Sequence, residues 1–142
     1  MPVKVHTVDN GLGIIILGTG VVEDQEFYSA YMEHLSRPEE ELAKILYTFS
    51  DYSAATKIHV GLSSLTKVAK KSVEASKKFN KDIVIITVVA DSIAYGLAKI
   101  FSGLAKLSGW NIVIYREKAE AEQYLRKKVK EKFGDNDLKF KL

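Results

Sequence analysis

The run Ile83-Val84-Ile85-Ile86-Thr87-Val88-Val89-Ala90, followed at once by Asp91 and Ser92, decides the fold. An apolar run without a charged residue is typical of a strand that is buried on both faces, as in a parallel sheet covered by helices. Asp and Ser are among the residue types that cap helix N-termini. The stretch therefore predicts a buried parallel strand that leads directly into a helix.

Strand and helix patterns alternate on both sides of this stretch. Apolar residues at helical spacing predict helices over residues 62–79, 92–107 and 117–133, and short apolar runs predict strands over residues 83–90 and 111–115. Helices that join neighbouring parallel strands act as right-handed crossovers. The C-terminal half of the chain is therefore expected to be a parallel sheet with crossover helices.

The N-terminal part predicts an antiparallel start. Residues 3–8 and 12–17 resemble strands, and Asn10-Gly11 between them is a hairpin turn signal. Gly18-Thr19-Gly20 is expected to close the second strand as a backbone turn, before a helix that runs to Leu35. A third strand over residues 43–49 is expected to end in a polar turn at 50–53. The predicted fold class is α/β: a mixed sheet of about five strands with an antiparallel N-terminal hairpin and helices as crossovers.

Composition excludes several functional classes. The 142 residues, 46% of them hydrophobic, suit a single globular domain over residues 1–142. A net charge of +3 is too small to indicate a nucleic-acid partner, and the chain has neither cysteine nor clustered histidine for a metal. Phosphate-binding loops are also missing, so we expect no cofactor and no enzymatic activity. No apolar run is long enough to span a membrane and no export signal is visible, so we expect a cytoplasmic protein without a transmembrane segment.

Polar residues follow several predicted strands at the edge where ligands collect in open α/β sheets. The candidate ligand- or partner-binding residues are Asp51, Tyr52, Ser53, Asp91, Ser92, Tyr95 and Arg116. Asp and Ser also cap helices and form turns in proteins without a binding site, so a purely structural role for these residues stays open.

Two further features indicate contacts with other molecules. The predicted helix from Ser92 is apolar around most of its circumference, which exceeds what one sheet face covers. The tail alternates Leu138, Phe140 and Leu142, which predicts one more edge strand or an arm that pairs with another chain. Both features favour a homodimer, and the apolar helix equally suits a pocket for a small apolar ligand.

The succession of elements resembles the STAS-type domain, most closely the bacterial SpoIIAA-like proteins. The resemblance is carried by four stretches: Gly18–Val22 before the first helix, Phe49–Ser53, Val88–Asp91 followed by Ala94–Lys99, and Ile114–Arg116 before Glu120, Ala121 and Leu125. In antagonist-type members an Asp-Ser-Ser turn holds the serine that a partner kinase phosphorylates. The corresponding residues here are Asp51-Tyr52-Ser53, with tyrosine at the phosphoacceptor position.

The resemblance implies a regulatory or ligand-sensing module that acts through protein-protein contacts and performs no catalysis. SpoIIAA-like proteins also resemble the CRAL-TRIO carriers of apolar molecules in fold. The alternative function is therefore a carrier or sensor of a small apolar, lipid-like molecule. An internal cavity would favour this alternative over a module that acts through its surface alone.

Overall fold

The computed structural model describes residues 2–134, 138–140 and 142. Within them, the strands of one mixed sheet are β1 Val3–Val8, β2 Gly13–Glu23, β3 Tyr47–His59, β4 Val84–Val88 and β5 Ile112–Tyr115, in the order β1-β2-β3-β4-β5. β1 pairs with β2 antiparallel, and each later strand pairs parallel with the one before it. The predicted mixed α/β fold with an antiparallel N-terminal hairpin is confirmed.

Helices cover both faces of the sheet. They are α1 Asp24–Leu35, α2 Glu39–Lys44, α3 Leu62–Ala75, α4 Ser92–Ala105 and α5 Lys118–Phe133, and short 3-10 turns extend α3 and α4. Helices α1, α3 and α4 contribute to one apolar cluster, whereas α5 contributes to a second cluster on the opposite face. β3 and β4 are therefore covered on both sides, as their apolar runs predict.

The hairpin turn forms where Asn10 and Gly11 lie, and both residues have positive φ angles, 56° and 89°. The turn predicted at Gly18-Thr19-Gly20 is wrong, because β2 continues through it to Glu23. Two register shifts against β3 flank this segment, and Gly20 has a φ of 60°. The glycines therefore accommodate β-bulges within a long strand.

The third strand differs most from its prediction. Ala43 belongs to α2, and β3 runs through the expected turn at 50–53 as far as His59. β3 pairs with β4 only as far as Asp51, opposite Val88, and beyond that point it continues alongside β2. Residues after Asp51 thus lie in a two-stranded extension of the sheet, where polar residues replace the apolar run.

The described part of the C-terminal tail folds back on its own chain. Leu138, Phe140 and Leu142 pack against the α5-side cluster, and the Phe140 ring lies 5.3 Å from the ring of Tyr47. The backbone amides of Lys139 and Phe140 donate hydrogen bonds to the Asp9 carboxylate. None of these described tail residues is in a strand, so the predicted edge strand is wrong for them, and Asp137 lies outside the described residues.

Candidate ligand pocket

A cavity of about 90 Å³ lies between the sheet and the helices α1, α3 and α4, and it is partly open to solvent. Apolar and aromatic side chains form most of its wall, including Phe27 of α1, Leu65 of α3, and Leu97 and Phe101 of α4. Thr48, Ser50 and Tyr52 project into it from β3, because alternate residues of a strand face the same side. Among the described residues, no Lys, Arg, Asp or Glu lines this cavity.

Three hydroxyl groups form a chain in the wall of the pocket. The Tyr52 hydroxyl donates to the Tyr31 hydroxyl over 3.0 Å, and Tyr31 donates to Ser50 Oγ over 3.0 Å. Burial raises the pKa of both tyrosines, that of Tyr52 well above its ordinary value, so both phenols are uncharged. Gly18 makes room for this arrangement, since a Cβ at that position would lie 2.3 Å from the Tyr52 ring.

His34 adds a second polar group to the same wall. It follows Tyr31 by three residues on α1, so both side chains lie on the same face of the helix. The residue is 3% exposed, and its Nδ1 has no hydrogen-bond partner among the described residues. Burial, assisted by the charge of Arg37, lowers the pKa of His34 to about 4, so the imidazole is neutral near pH 7.

The single tryptophan of the chain, Trp110, also lines the pocket. Its ring meets Phe79 edge to face, with the ring centroids 5.3 Å apart. Phe79 in turn lies 6.0 Å from the His34 ring. The tryptophan is therefore an intrinsic fluorescent reporter of this pocket.

The alternation of β3 separates the predicted site residues Asp51, Tyr52 and Ser53. Tyr52 faces the pocket, whereas Asp51 is bound on the α5 side by Lys118, whose Nζ lies 3.0 Å from the carboxylate. Ser53 donates to Asp51 from both its amide and its hydroxyl, over 2.9 and 2.6 Å. Burial alone would raise the pKa of Asp51, but these hydrogen bonds and the Lys118 charge offset it, so the pKa is lowered.

The register places Asp51 at the same sheet edge as Asp91, because Asp51 pairs with Val88, the last residue of β4. Asp51 does not lie in the turn expected at 50–53, since β3 continues past it and the residue is 3% exposed. Asp91 caps α4 by accepting a hydrogen bond from the Ala94 amide over 2.9 Å. These two carboxylates therefore each have a structural partner.

The remaining predicted residues come together at the start of α4. Arg116 donates to the Ala90 carbonyl over 2.7 Å and to the Ser92 hydroxyl over 3.0 Å, and its guanidinium lies 5.4 Å from the centre of the Tyr95 ring. Ser92, Tyr95 and Arg116 thus form one surface cluster outside the pocket. It holds the end of β5 against the start of α4.

Helix α4 has a second apolar surface that faces away from the pocket. The exposed fractions are 77% for Ile93, 47% for Ile100, 38% for Leu104 and 85% for Leu107 in the 3-10 turn that follows. We call these four residues the outer face of α4. The wide apolar arc expected from the sequence therefore divides into a pocket-lining side and this outer face.

Sequence reasoning named Tyr52 but missed Ser50 and His34 as pocket residues. Ser50 was part of the expected turn, and His34 resembled an isolated histidine. The sequence signal that could have identified His34 is the series Phe27, Tyr31 and Leu35 at helical spacing, with His34 beside it on the same face. Three residues apart, Tyr31 and His34 give two polar groups on an otherwise apolar helix stripe.

The described part of the chain contains no group of three or more His, Cys, Asp or Glu residues arranged to hold a metal ion. None of its helices has the length and apolar character needed to cross a membrane.

The fold is SpoIIAA-like. The chain superposes on the crystal structure of an uncharacterized protein from the DUF3478 family with a SpoIIAA-like fold, from Shewanella loihica PV-4. The TM-score is 0.51 at 12% sequence identity, and the match covers 87% of this chain and 91% of the other. No protein-family model and no curated protein matches the sequence. The structural similarity confirms the predicted SpoIIAA-like fold and concerns the fold alone.

Proposed function

We propose that this protein is a non-enzymatic sensor or carrier of a small apolar molecule, which binds in the pocket between the sheet and helices α1, α3 and α4. The observation that carries the proposal is the pocket itself: an apolar, partly open cavity of about 90 Å³ inside a domain of this size. Well-packed proteins contain few voids larger than a water molecule. The lack of cysteine favours the cytoplasm as the place where it acts.

The size and lining of the pocket suit a ligand of one ring or a short chain. An apolar engineered cavity of about 150 Å³ holds benzene, and this pocket is of the same order and opens further to solvent. Burying roughly 150 Å² of a ring at about 25 cal/mol per Å² corresponds to about 4 kcal/mol, or a dissociation constant of about 1 mM for a minimal ligand. A natural ligand with more buried atoms would bind more tightly.

Toluene titration followed by Trp110 fluorescence tests the proposal. We expect a saturable change in emission with a dissociation constant of about 1 mM or below. Ala98 lines the pocket, so Ala98→Leu should fill it and weaken toluene binding at least about tenfold. Ala119→Leu is the matched control, because Ala119 lies exposed on α5, which packs on the opposite face of the sheet. Emission that stays unchanged up to toluene saturation would contradict the proposed function.

The second candidate function is protein-protein contact through the outer face of α4. The arrangement of side chains on this face favours a second copy of the same chain as the partner. An antiparallel pairing of two α4 helices about Ile100 places Ile93 opposite Leu107 of the second copy. It also places Leu104 opposite Gly96, where a Cβ would meet nothing within 4 Å. Large and small side chains thus alternate in a self-complementary way, as a two-fold interface requires.

The two candidate functions are compatible, because α4 contributes to both surfaces. Leu97 and Phe101 line the pocket, and Ile93 and Ile100 lie on the outer face of the same helix. A ligand that shifts α4 would therefore change the surface offered to a partner. Such coupling would make the protein a ligand-responsive regulatory module.

Sedimentation at micromolar concentration tests the dimer. We expect a species of twice the 15.9 kDa chain mass that Ile100→Lys converts to monomer. Thr66→Lys, at an exposed position on α3, should leave the mass unchanged. A wild-type protein that sediments only at the chain mass would contradict the homodimer and leave the pocket proposal standing.

A further inference from the structure

We propose that the pocket selects an uncharged apolar molecule that carries one hydrogen-bonding group, such as a hydroxyl or a carbonyl, over an acid or an amine of the same skeleton. This inference rests on the proposed function, since it names the chemical class of the pocket's ligand. Its basis is the set of polar atoms in the pocket wall and the charges that this wall lacks.

The hydroxyl chain has hydrogen-bonding capacity left for a ligand. Tyr52, Tyr31 and Ser50 carry three O–H groups, and two of these are used within the chain. Whichever way the chain is oriented, one end retains a free O–H and the other end retains acceptor lone pairs. The chain can therefore donate to a carbonyl or both donate to and accept from a hydroxyl.

His34 supplies an independent indication of a polar ligand atom. A buried polar nitrogen without a partner destabilises a folded protein, and such atoms are rare in native proteins. His34 Nδ1 is of this kind among the described residues, and the residue lines the same pocket as the hydroxyl chain. A ligand hydroxyl or carbonyl would complete the hydrogen bonding that the protein leaves open.

The wall gives no compensation for a ligand charge. No described lining residue is Lys, Arg, Asp or Glu, both lining tyrosines are uncharged, and His34 is neutral near pH 7. Moving an ion from water into such a site is far more costly than moving a neutral polar group that finds a hydrogen bond. We therefore expect carboxylates and ammonium compounds of the same skeleton to bind more weakly than the neutral alcohol.

Four compounds with the same ring test the inference at about pH 7: toluene, benzyl alcohol, benzoate and benzylamine, each titrated against Trp110 fluorescence. We expect benzyl alcohol to bind about fivefold more tightly than toluene, the value of one net neutral hydrogen bond. We expect benzoate and benzylamine to bind at least about tenfold more weakly than benzyl alcohol. Benzoate or benzylamine binding as tightly as benzyl alcohol would overturn the inference while leaving the proposed function intact. A protein that binds none of the four, toluene included, would overturn the proposed function as well.

Substitutions locate the polar recognition. Tyr52→Phe and His34→Leu should each lower the affinity ratio of benzyl alcohol to toluene about two- to fivefold. Tyr124→Phe is the matched control, because Tyr124 packs against Tyr115 on the α5 side of the sheet and should keep the wild-type ratio. A ratio that stays at the wild-type value in both pocket variants would refute the assignment of these polar groups to the ligand.

Discussion

The neutral, buried His34 predicts a loss of stability in mild acid. Its pKa falls from 6.5 to about 4 on folding, so the unfolded chain takes up a proton that the folded protein resists. Folding stability is therefore complete above the unfolded pKa and declines as the pH falls from 6.5 toward 4. The pKa difference corresponds to about 2.5 kcal/mol lost between about pH 7 and about pH 4.5.

Urea unfolding measured by circular dichroism at several pH values tests this loss. His34→Gln removes the titrating group, so its free energy of unfolding should change by less than about 1 kcal/mol over the same pH interval, whatever its stability at neutral pH. His6→Gln, at an exposed position on β1, is the matched control and should keep the full wild-type loss. Titration of Asp51 does not contribute to the loss of stability over this pH interval, because its lowered pKa affects stability only near and below the unfolded value of 3.8. Equal pH slopes in wild type and His34→Gln would refute the reasoning.

Two further predictions concern substitutions of residues that contact side chains of β3. Gly18→Ala should destabilise the protein by about 1–3 kcal/mol in thermal unfolding and displace the Tyr52 ring, because a Cβ at Gly18 would lie 2.3 Å from that ring. Lys118→Gln should cost about 1–2 kcal/mol near pH 7, because it removes the ion pair of the buried Asp51 carboxylate. Because the pKa of Asp51 is lowered, chemical unfolding should show the difference from wild type shrinking as the pH falls below the unfolded value of 3.8 and Asp51 takes up a proton.

The strand and helix order after residue 62 is predictable from the sequence because burial dictates it there. β4 is covered on both faces and is therefore apolar except for Thr87, and α3 and α4 carry apolar stripes of helical period. Residues after Asp51 in β3 are different. They pair with β2 alone and are mostly exposed, so their side chains carry no strand pattern, and the sequence Asp51-Tyr52-Ser53 at the start of this stretch resembles a turn.

The pocket depends on distances that a single sequence does not contain. Its wall combines residues from α1, β3, α3, β4 and α4 together with Trp110, and the cavity exists because these elements do not fill the space between them. The sequence identifies Tyr52 as a candidate site residue because it lies beside Asp51. It does not show that Tyr52 faces the pocket, because that orientation depends on β3 continuing through residue 52. A single sequence shows neither the burial of His34 nor the lack of a partner for its Nδ1 among the described residues, because both depend on tertiary packing.

Isotope-filtered NOE spectroscopy of labelled protein with unlabelled benzyl alcohol tests the central claim most directly, because it shows where the ligand ring lies. We expect intermolecular NOEs to Leu97, Phe101 and Trp110, which line the pocket from α4 and the segment before β5. NOEs confined to Ile93 and Leu107 would place the ring on the outer face of α4 and contradict a binding pocket.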